Sequence, residues 1–283
     1  MAELVYLNGW IGSFEDAYIS VNDRGYNFGD GVYEVVMAYD GVMFALDDHL
    51  KRLAASAAAV EMDLPWDLQQ LKSIAEDVLV KSSIKRAMIY IQVTRGTAPR
   101  NHFFEPDIRP NLLVTVRYAP ETDPAMYREG VKVITHPDFR WQMCHVKTIS
   151  LQANIMAKNR ARRAGVAEVV FVLPDGTVTE CGSSNIFIYQ DGVLKTHPAN
   201  NKILAGVTRQ YVLQVAGSLG LDIKEEPFNV SELFKANEVF YTNTVIEVMP
   251  VVNVDGHVIG NGKPGPVTTQ LHQGFITLRE SLK

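Results

Sequence analysis

The chain has only two cysteines, no long apolar run and no block of like charges. Cys144 and Cys181 have neither the spacing of a disulfide framework nor that of a zinc site, which suits a reducing cytoplasm and leaves no metal centre to expect. A membrane span needs about 18 consecutive apolar residues, and none is present. The opening MAELVYLNGW carries Glu3 and lacks a basic stretch before an apolar one, so it does not read as a secretory signal. Net charge is −5, from 27 basic and 32 acidic residues without a long run of either sign, which argues against an electrostatic grip on nucleic acid. Small-molecule chemistry is the expectation that remains.

What is there is ordinary globular material, 47% hydrophobic and 21% charged. At about 150 residues per domain, 283 residues imply two domains with ample cores. Pro120, Asp123 and Pro124 mark the expected boundary, giving domains 1–120 and 121–283. In the first, VYEVVMAYDGVMFAL reads as a hairpin about Asp40-Gly41. A helix follows, capped by Asp47 or Asp48 and carrying Leu50, Leu53, Ala57 and Val60 at helical spacing; Pro65 opens another. Strands are expected at 86–95 and 111–118, joined by the polar, proline-rich loop GTAPRNHFFEPDIRP. The second half alternates strands with helices at about 149–164 and 207–219, with further turns at Pro174-Asp175-Gly176, Asp191-Gly192 and Asp255-Gly256 and a terminal helix. Strands separated by both hairpins and helices define an α+β class.

Five stretches could carry chemistry. In HVKTISLQANIMAKNRARRAG, Lys147 stands between an apolar approach and a helix-like run, whereas Lys158 reads as part of a solvated face. In ILAGVTRQYVLQVAG, Gly206 and Thr208 open a helix; free N–H groups there suit a phosphate, although the pair could simply cap the helix. Glu180 ends TVTE before the small residues Gly182, Ser183 and Ser184, either as an exposed turn acid or as a carboxylate facing a closely approaching ligand. DRGYNFGDGVYE precedes a strand and so is no dinucleotide fingerprint; Tyr33 can project a hydroxyl from it. Arg100 and His102 are suited to clamping a carboxylate, or are solvated loop residues.

Taken together and in order, these stretches resemble the fold-type IV pyridoxal-phosphate enzymes, the family of branched-chain aminotransferases, D-amino acid aminotransferases and aminodeoxychorismate lyase. Matching segments run from YLNGWIG through DRGYNFGDGVYE, LDDHLKRL, QVTRGTAPRNH, HVKTISLQANIMAKNRARRAG, TVTECGSSNIF and HPANNKILAGVTR to VFYTNTVIEVMPV. The resemblance implies a two-domain fold-type IV architecture: a smaller N-terminal α/β domain and a larger C-terminal mixed α/β pseudo-barrel domain that binds pyridoxal 5′-phosphate. It implies Lys147 as the Schiff-base lysine and Glu180 as the acid facing the pyridine nitrogen. Arg52, Val207, Thr208 and Thr244 would hold the phosphate, with Ser183 and Leu204 beside the cofactor. VTRGTAPRNH is most similar to the D-amino acid enzymes, in which the equivalents of Tyr33, Arg100 and His102 trap the substrate carboxylate. Arg100 and His102 would then reach across a homodimer to complete the partner's site. The implied reaction is amino transfer between a D-amino acid such as D-alanine or D-glutamate and 2-oxoglutarate or pyruvate. A branched-chain L-amino acid aminotransferase, aminodeoxychorismate lyase or a non-catalytic binding module on the same fold are the alternatives. Gly182 and Asn243 depart from the pattern, standing where serines are common.

Overall fold

Alternation of apolar and polar residues in the N-terminal part builds one antiparallel sheet. The computed structural model describes residues 1–282, which divide into two units: Met1–Pro120 with Val146–Leu151, and Glu121–His145 with Gln152–Ser281. In the first unit, strands β1 (Leu4–Leu7), β2 (Trp10–Gly12), β3 (Gly31–Tyr39), β4 (Val42–Met43), β5 (Ala87–Thr94) and β6 (Asn111–Tyr118) lie in the order β2-β1-β6-β5-β3-β4. Its helices are α1 (Arg24–Phe28), α2 (Leu46–Ala59) and α3 (Leu68–Ser82). The register sets Val36 opposite Ile89 and Glu34 opposite Ile91. Alternate β3 residues Val32, Glu34 and Val36 therefore share one fully buried face, covered by α2 through residues such as Leu50 and Leu53. Tyr33 points to the other face.

The β3–β4 hairpin turns at Asp40 (φ 54°) and Gly41 (φ 84°), two left-handed residues as its Asp-Gly sequence requires. Helix starts differ from expectation. Neither Asp47 nor Asp48 caps α2; Ala45, in a left-handed conformation, is the cap, and both acids sit in the first turn, where they face the positive dipole end. Pro65 does not open α3 either. Asp67 does, because its carboxylate can accept from Gln70 N at 2.7 Å while the Gln70 side chain returns to Asp67 N.

The second unit contains α4 (Pro124–Glu129), β7 (Val131–Pro137), α5 (Gln152–Arg163), β8 (Glu168–Val172), β9 (Thr177–Cys181), β10 (Asn185–Gln190), β11 (Val193–Thr196), α6 (Val207–Ser218), β12 (Asp222–Glu225), β13 (Phe228–Asn229), α7 (Val230–Lys235), β14 (Glu238–Asn243), β15 (Glu247–Val254), β16 (His257–Val258) and α8 (Pro266–Ser281). Nine strands run β12-β11-β10-β14-β15-β7-β8-β9-β13, and β16 joins β15. Parallel pairs (β15–β7, β7–β8, β11–β12) interrupt an otherwise antiparallel ladder, so the sheet is mixed. One face buries Val133, Val170, Val178, Ile186, Val239 and Met249. Phe187 and Phe240, stacked at 4.7 Å in the neighbouring strands β10 and β14, occupy another part of the core. Helix α5 starts at Gln152 rather than near 149, because Val146–Leu151 is held extended beside β3 in the first unit.

Candidate active site

Lys147 is held by its main chain. Its N–H donates to Ser56 Oγ at 3.1 Å, and its carbonyl accepts from Tyr33 N at 3.0 Å. Thr148 bridges Val32, and Ile149 N donates to Gly31 O at 3.0 Å. A Cβ at Gly31 would stand 2.8 Å from Ile149 Cδ1 and 2.7 Å from Val93 O, so only glycine lets this segment approach the sheet. The Lys147 side chain is half-buried, and Nζ lies 4.2 Å from the centre of the Tyr33 ring. Burial is thus less complete than its apolar neighbours in sequence imply. Tyr33 packs in turn on Tyr90 at 5.4 Å.

On the covered face of the same sheet, Glu34 is fully buried and accepts from Arg52 Nε at 2.7 Å and Nη2 at 2.8 Å. His49 Nδ1 lies 2.7 Å from the same carboxylate. Burial alone would raise the Glu34 carboxyl, but Arg52 and His49 outweigh it and hold the value at about 2. Burial lowers His49, with Glu34 opposing. Arg52 therefore has a fixed, bidentate geometry. Glu34 and Arg52 both lie in stretches that resemble the family, DRGYNFGDGVYE and LDDHLKRL, but their pairing across 18 residues is visible only in the fold.

In the second unit, Glu180 is almost fully buried at the end of β9. One carboxylate oxygen pairs with Arg140; the other accepts from Asn185 Nδ2 at 3.1 Å and Leu204 N at 3.0 Å. It is no exposed turn acid. Arg140 also grips Asp138 with Nε at 3.0 Å and Nη2 at 2.8 Å, and lies over the Phe171 ring at 4.4 Å. Burial pushes the Glu180 carboxyl up, and Arg140 and the Leu204 N–H oppose that rise. For Asp138 the balance goes the other way: burial is outweighed by Arg140 and the value is lowered. Neither Arg140 nor Asn185 stands out in the sequence; an arginine among DFRW gives no periodic signal.

Asn185 links this acid to the start of α6. Its Nδ2 donates to Leu204 O at 2.8 Å as well as to Glu180, and a Cβ on Gly206 would stand 2.1 Å from its Oδ1. Gly206 caps α6 with no side-chain hydrogen bond, leaving the first N–H groups beside buried Val207 and Thr208. An uncapped start of a three-turn helix, a hydroxyl and a glycine that cannot be enlarged form a cradle suited to a phosphate monoester. Together with the buried Glu180 carboxylate of the same unit, this donor set fits the phosphate and the ring nitrogen of pyridoxal phosphate.

Ser183 Oγ donates to Glu168 Oε2 at 3.2 Å, and Thr244 follows Asn243 in the β14–β15 turn. Lys158, expected on a solvated face, keeps a side chain 40% exposed while its Nζ donates to the buried Glu168 at 3.0 Å. The cysteines take no part. Burial raises the Cys144 thiol to about 11 and Cys181 well above its ordinary value, so both stay protonated.

Arg100 and His102 stand together in the exposed 97–109 loop, both against Phe28: the guanidinium lies 5.0 Å from that ring and the imidazole 5.8 Å. Among the described residues neither makes a hydrogen bond or ring contact with Tyr33. The loop is tied down by Arg24, whose Nη1 donates to Asn101 O at 2.7 Å and whose Nε pairs with Asp30 at 2.8 Å. Arg95 pairs with the same Asp30 and covers the Phe104 ring at 3.8 Å.

The mixed ten-stranded unit, with its buried acid and its glycine-started helix, defines a mixed α/β enzyme class. A family model described as amino-transferase class IV matches residues 31–254, and the chain belongs to that family. The D-alanine aminotransferase of Listeria monocytogenes serotype 1/2a is 40% identical over 275 residues, covering 96% of this chain and 94% of its own. That of Staphylococcus haemolyticus is 39% identical over 280 residues, 98% of each. Among solved structures, the branched-chain amino acid aminotransferase of Escherichia coli superposes with a TM-score of 0.92 at 25% identity, over 98% of this chain and 95% of that one. The branched-chain amino acid aminotransferase of T.th., solved with pyridoxamine 5′-phosphate, also scores 0.92 at 25% identity, over 99% and 95%. No helix among the described residues is long and apolar enough to cross a membrane, and no metal-binding cluster is found among them.

Proposed function

We propose that the protein is a pyridoxal-phosphate-dependent D-amino acid aminotransferase, moving the amino group of D-alanine or D-glutamate to 2-oxoglutarate or pyruvate. The observation that carries this reading is identity near 40% along almost the whole chain to enzymes named D-alanine aminotransferase. Structural likeness to branched-chain enzymes comes at 25% identity, and such an enzyme would not need Arg100 and His102.

When bound, pyridoxal phosphate supplies an aldehyde that condenses with amines and a ring that accepts the electron pair released at the substrate α-carbon. Lys147 Nζ would be the group that holds the cofactor's aldehyde, and its free amine would carry the substrate's α-proton. Glu180, whose charged form Arg140 and the Leu204 N–H favour against burial, would face the ring nitrogen and favour its protonated form by charge pairing. Arg140 fixes its orientation. Arg52, Val207, Thr208 and Thr244 take the phosphate, while Ser183 and Leu204 flank the cofactor. Tyr33 with Arg100 and His102 traps the substrate carboxylate. The exposed aromatic residues near the latter two, Tyr26 (72%) and Phe103 (62%), support a homodimer in which this loop completes the partner's site. Two free cysteines support a cytoplasmic location.

Offering D- and L-alanine, glutamate and leucine with 2-oxoglutarate, and following the oxo-acid product, tests the reading. Product from D-alanine and D-glutamate is expected; turnover confined to the L series would overturn the stereochemical assignment.

A further inference from the structure

The two departures from the family pattern, Gly182 and Asn243, meet in one buried network. Its hub is Glu168, 1% exposed. Oε2 of Glu168 accepts from Lys158 Nζ at 3.0 Å, Ser183 Oγ at 3.2 Å and Ser184 Oγ at 3.4 Å, and Oε1 accepts from Val169 N at 2.9 Å. A Cβ at Gly182 would stand 2.8 Å from both Lys158 Cδ and Glu168 Oε1, so glycine at this position makes room for the lysine. Ser184 then accepts from Asn243 Nδ2 at 2.9 Å. The other end of the same amide, Oδ1, accepts from Val245 N at 3.0 Å and Ile246 N at 2.8 Å.

Asn243 thus uses both ends of one side chain. The amide nitrogen holds the 182–184 loop, and the amide oxygen closes the three-residue turn that carries Thr244. A serine has a single oxygen on a shorter arm; it could accept one turn N–H but not also reach Ser184. The far side of that turn is pinned independently. Glu247 lies in the left-handed region (φ 64°), unusual for a residue with a side chain, and is held there by Arg279 and by His272 at 3.1 Å. Tyr127 Oη donates to Ile246 O at 2.8 Å.

We propose that Asn243 is a positioning residue that, through Ser184 and Glu168, fixes the Thr244 turn in the geometry that receives the cofactor's phosphate. The inference rests on the pyridoxal-phosphate reading above and adds that phosphate affinity in this chain depends on an amide where serine is common.

The test separates phosphate from ring. Apoprotein is titrated by absorbance with pyridoxal 5′-phosphate and, separately, with pyridoxal, which lacks the phosphate. Asn243→Ser is expected to weaken pyridoxal phosphate roughly tenfold, about the loss of one well-placed hydrogen bond, while leaving pyridoxal within about twofold. Ser184→Ala leaves Asn243 on the turn but removes its second anchor, and is expected to weaken only pyridoxal phosphate, by roughly threefold. Unchanged pyridoxal phosphate affinity in both variants overturns the proposal. So does parallel loss of both ligands, which marks a merely structural residue. If wild-type protein binds neither ligand, the cofactor reading itself fails and this inference with it.

Discussion

Replacing Arg140 by methionine leaves two buried carboxylates facing each other without a cation. Side-chain exposure is 5% for Asp138, 8% for Glu180 and 6% for Arg140, so water cannot take over the arginine's role. Removing one partner of a buried ion pair costs about 3–5 kcal/mol, because the remaining charge is uncompensated. For a chain of this size that corresponds to a fall in Tm of roughly 6–20 °C. The deficit also has a pH signature. In the parent, Arg140 holds Asp138 below its ordinary value and opposes the burial that raises Glu180. Without it, burial is opposed by the Leu204 N–H at Glu180 and by Thr179 at Asp138 but no longer by the guanidinium, and both carboxyls move up. A buried acid with a raised folded value is neutral at low pH and must charge as pH rises, so the Arg140→Met deficit grows as pH rises through and above the ordinary carboxylate range. Thermal unfolding of the apoprotein across that range measures it. A deficit below about 2 °C, or one independent of pH, would refute the idea that Arg140 compensates these charges.

Glu34, held at about 2 against an ordinary 4.5, contributes stability that is complete above pH 4.5 and lost as pH falls toward 2, worth about 3 kcal/mol for this fully buried group. Glu34→Gln should therefore unfold less steeply with acid than the parent, and coincident acid-unfolding curves would contradict this. Gly206→Ala drives a Cβ to 2.1 Å from Asn185 Oδ1 and should cost about 1–3 kcal/mol in a denaturant titration, with weakened cofactor retention on dialysis. Glu180→Gln should keep bound cofactor yet lose most turnover in a steady-state assay, since the amide keeps the size but not the charge; near-normal rates would remove the proposed role.

Where the sequence was legible, local rules agreed with the final packing. Asp40-Gly41 made its hairpin, and strands 87–94 and 111–118 paired as their alternation implied. Gly206 before a helix and Glu180 before Gly182 each left a structural and a chemical reading open in the sequence, and only the resemblance to the family gave them a shared ligand. What stayed hidden depends on contacts distant in sequence. Nothing near Lys147 in sequence shows that residues 146–151 lie against Gly31–Tyr33, because that pairing closes a gap of more than a hundred residues. Arg140 meets Glu180 from 40 residues away, and Asn185 meets Leu204 from 19. Helix starts were misplaced where a left-handed Ala45 and a reciprocal Asp67–Gln70 pair outcompeted the more obvious Asp48 and Pro65.

The central claim is that Lys147 is the residue that bonds the cofactor. Borohydride reduction of the protein loaded with pyridoxal phosphate, followed by peptide mapping, should place one phosphopyridoxyl group on Lys147, and Lys147→Ala should take up none. A label on Lys158 or Lys202, or on no lysine at all, would contradict the account.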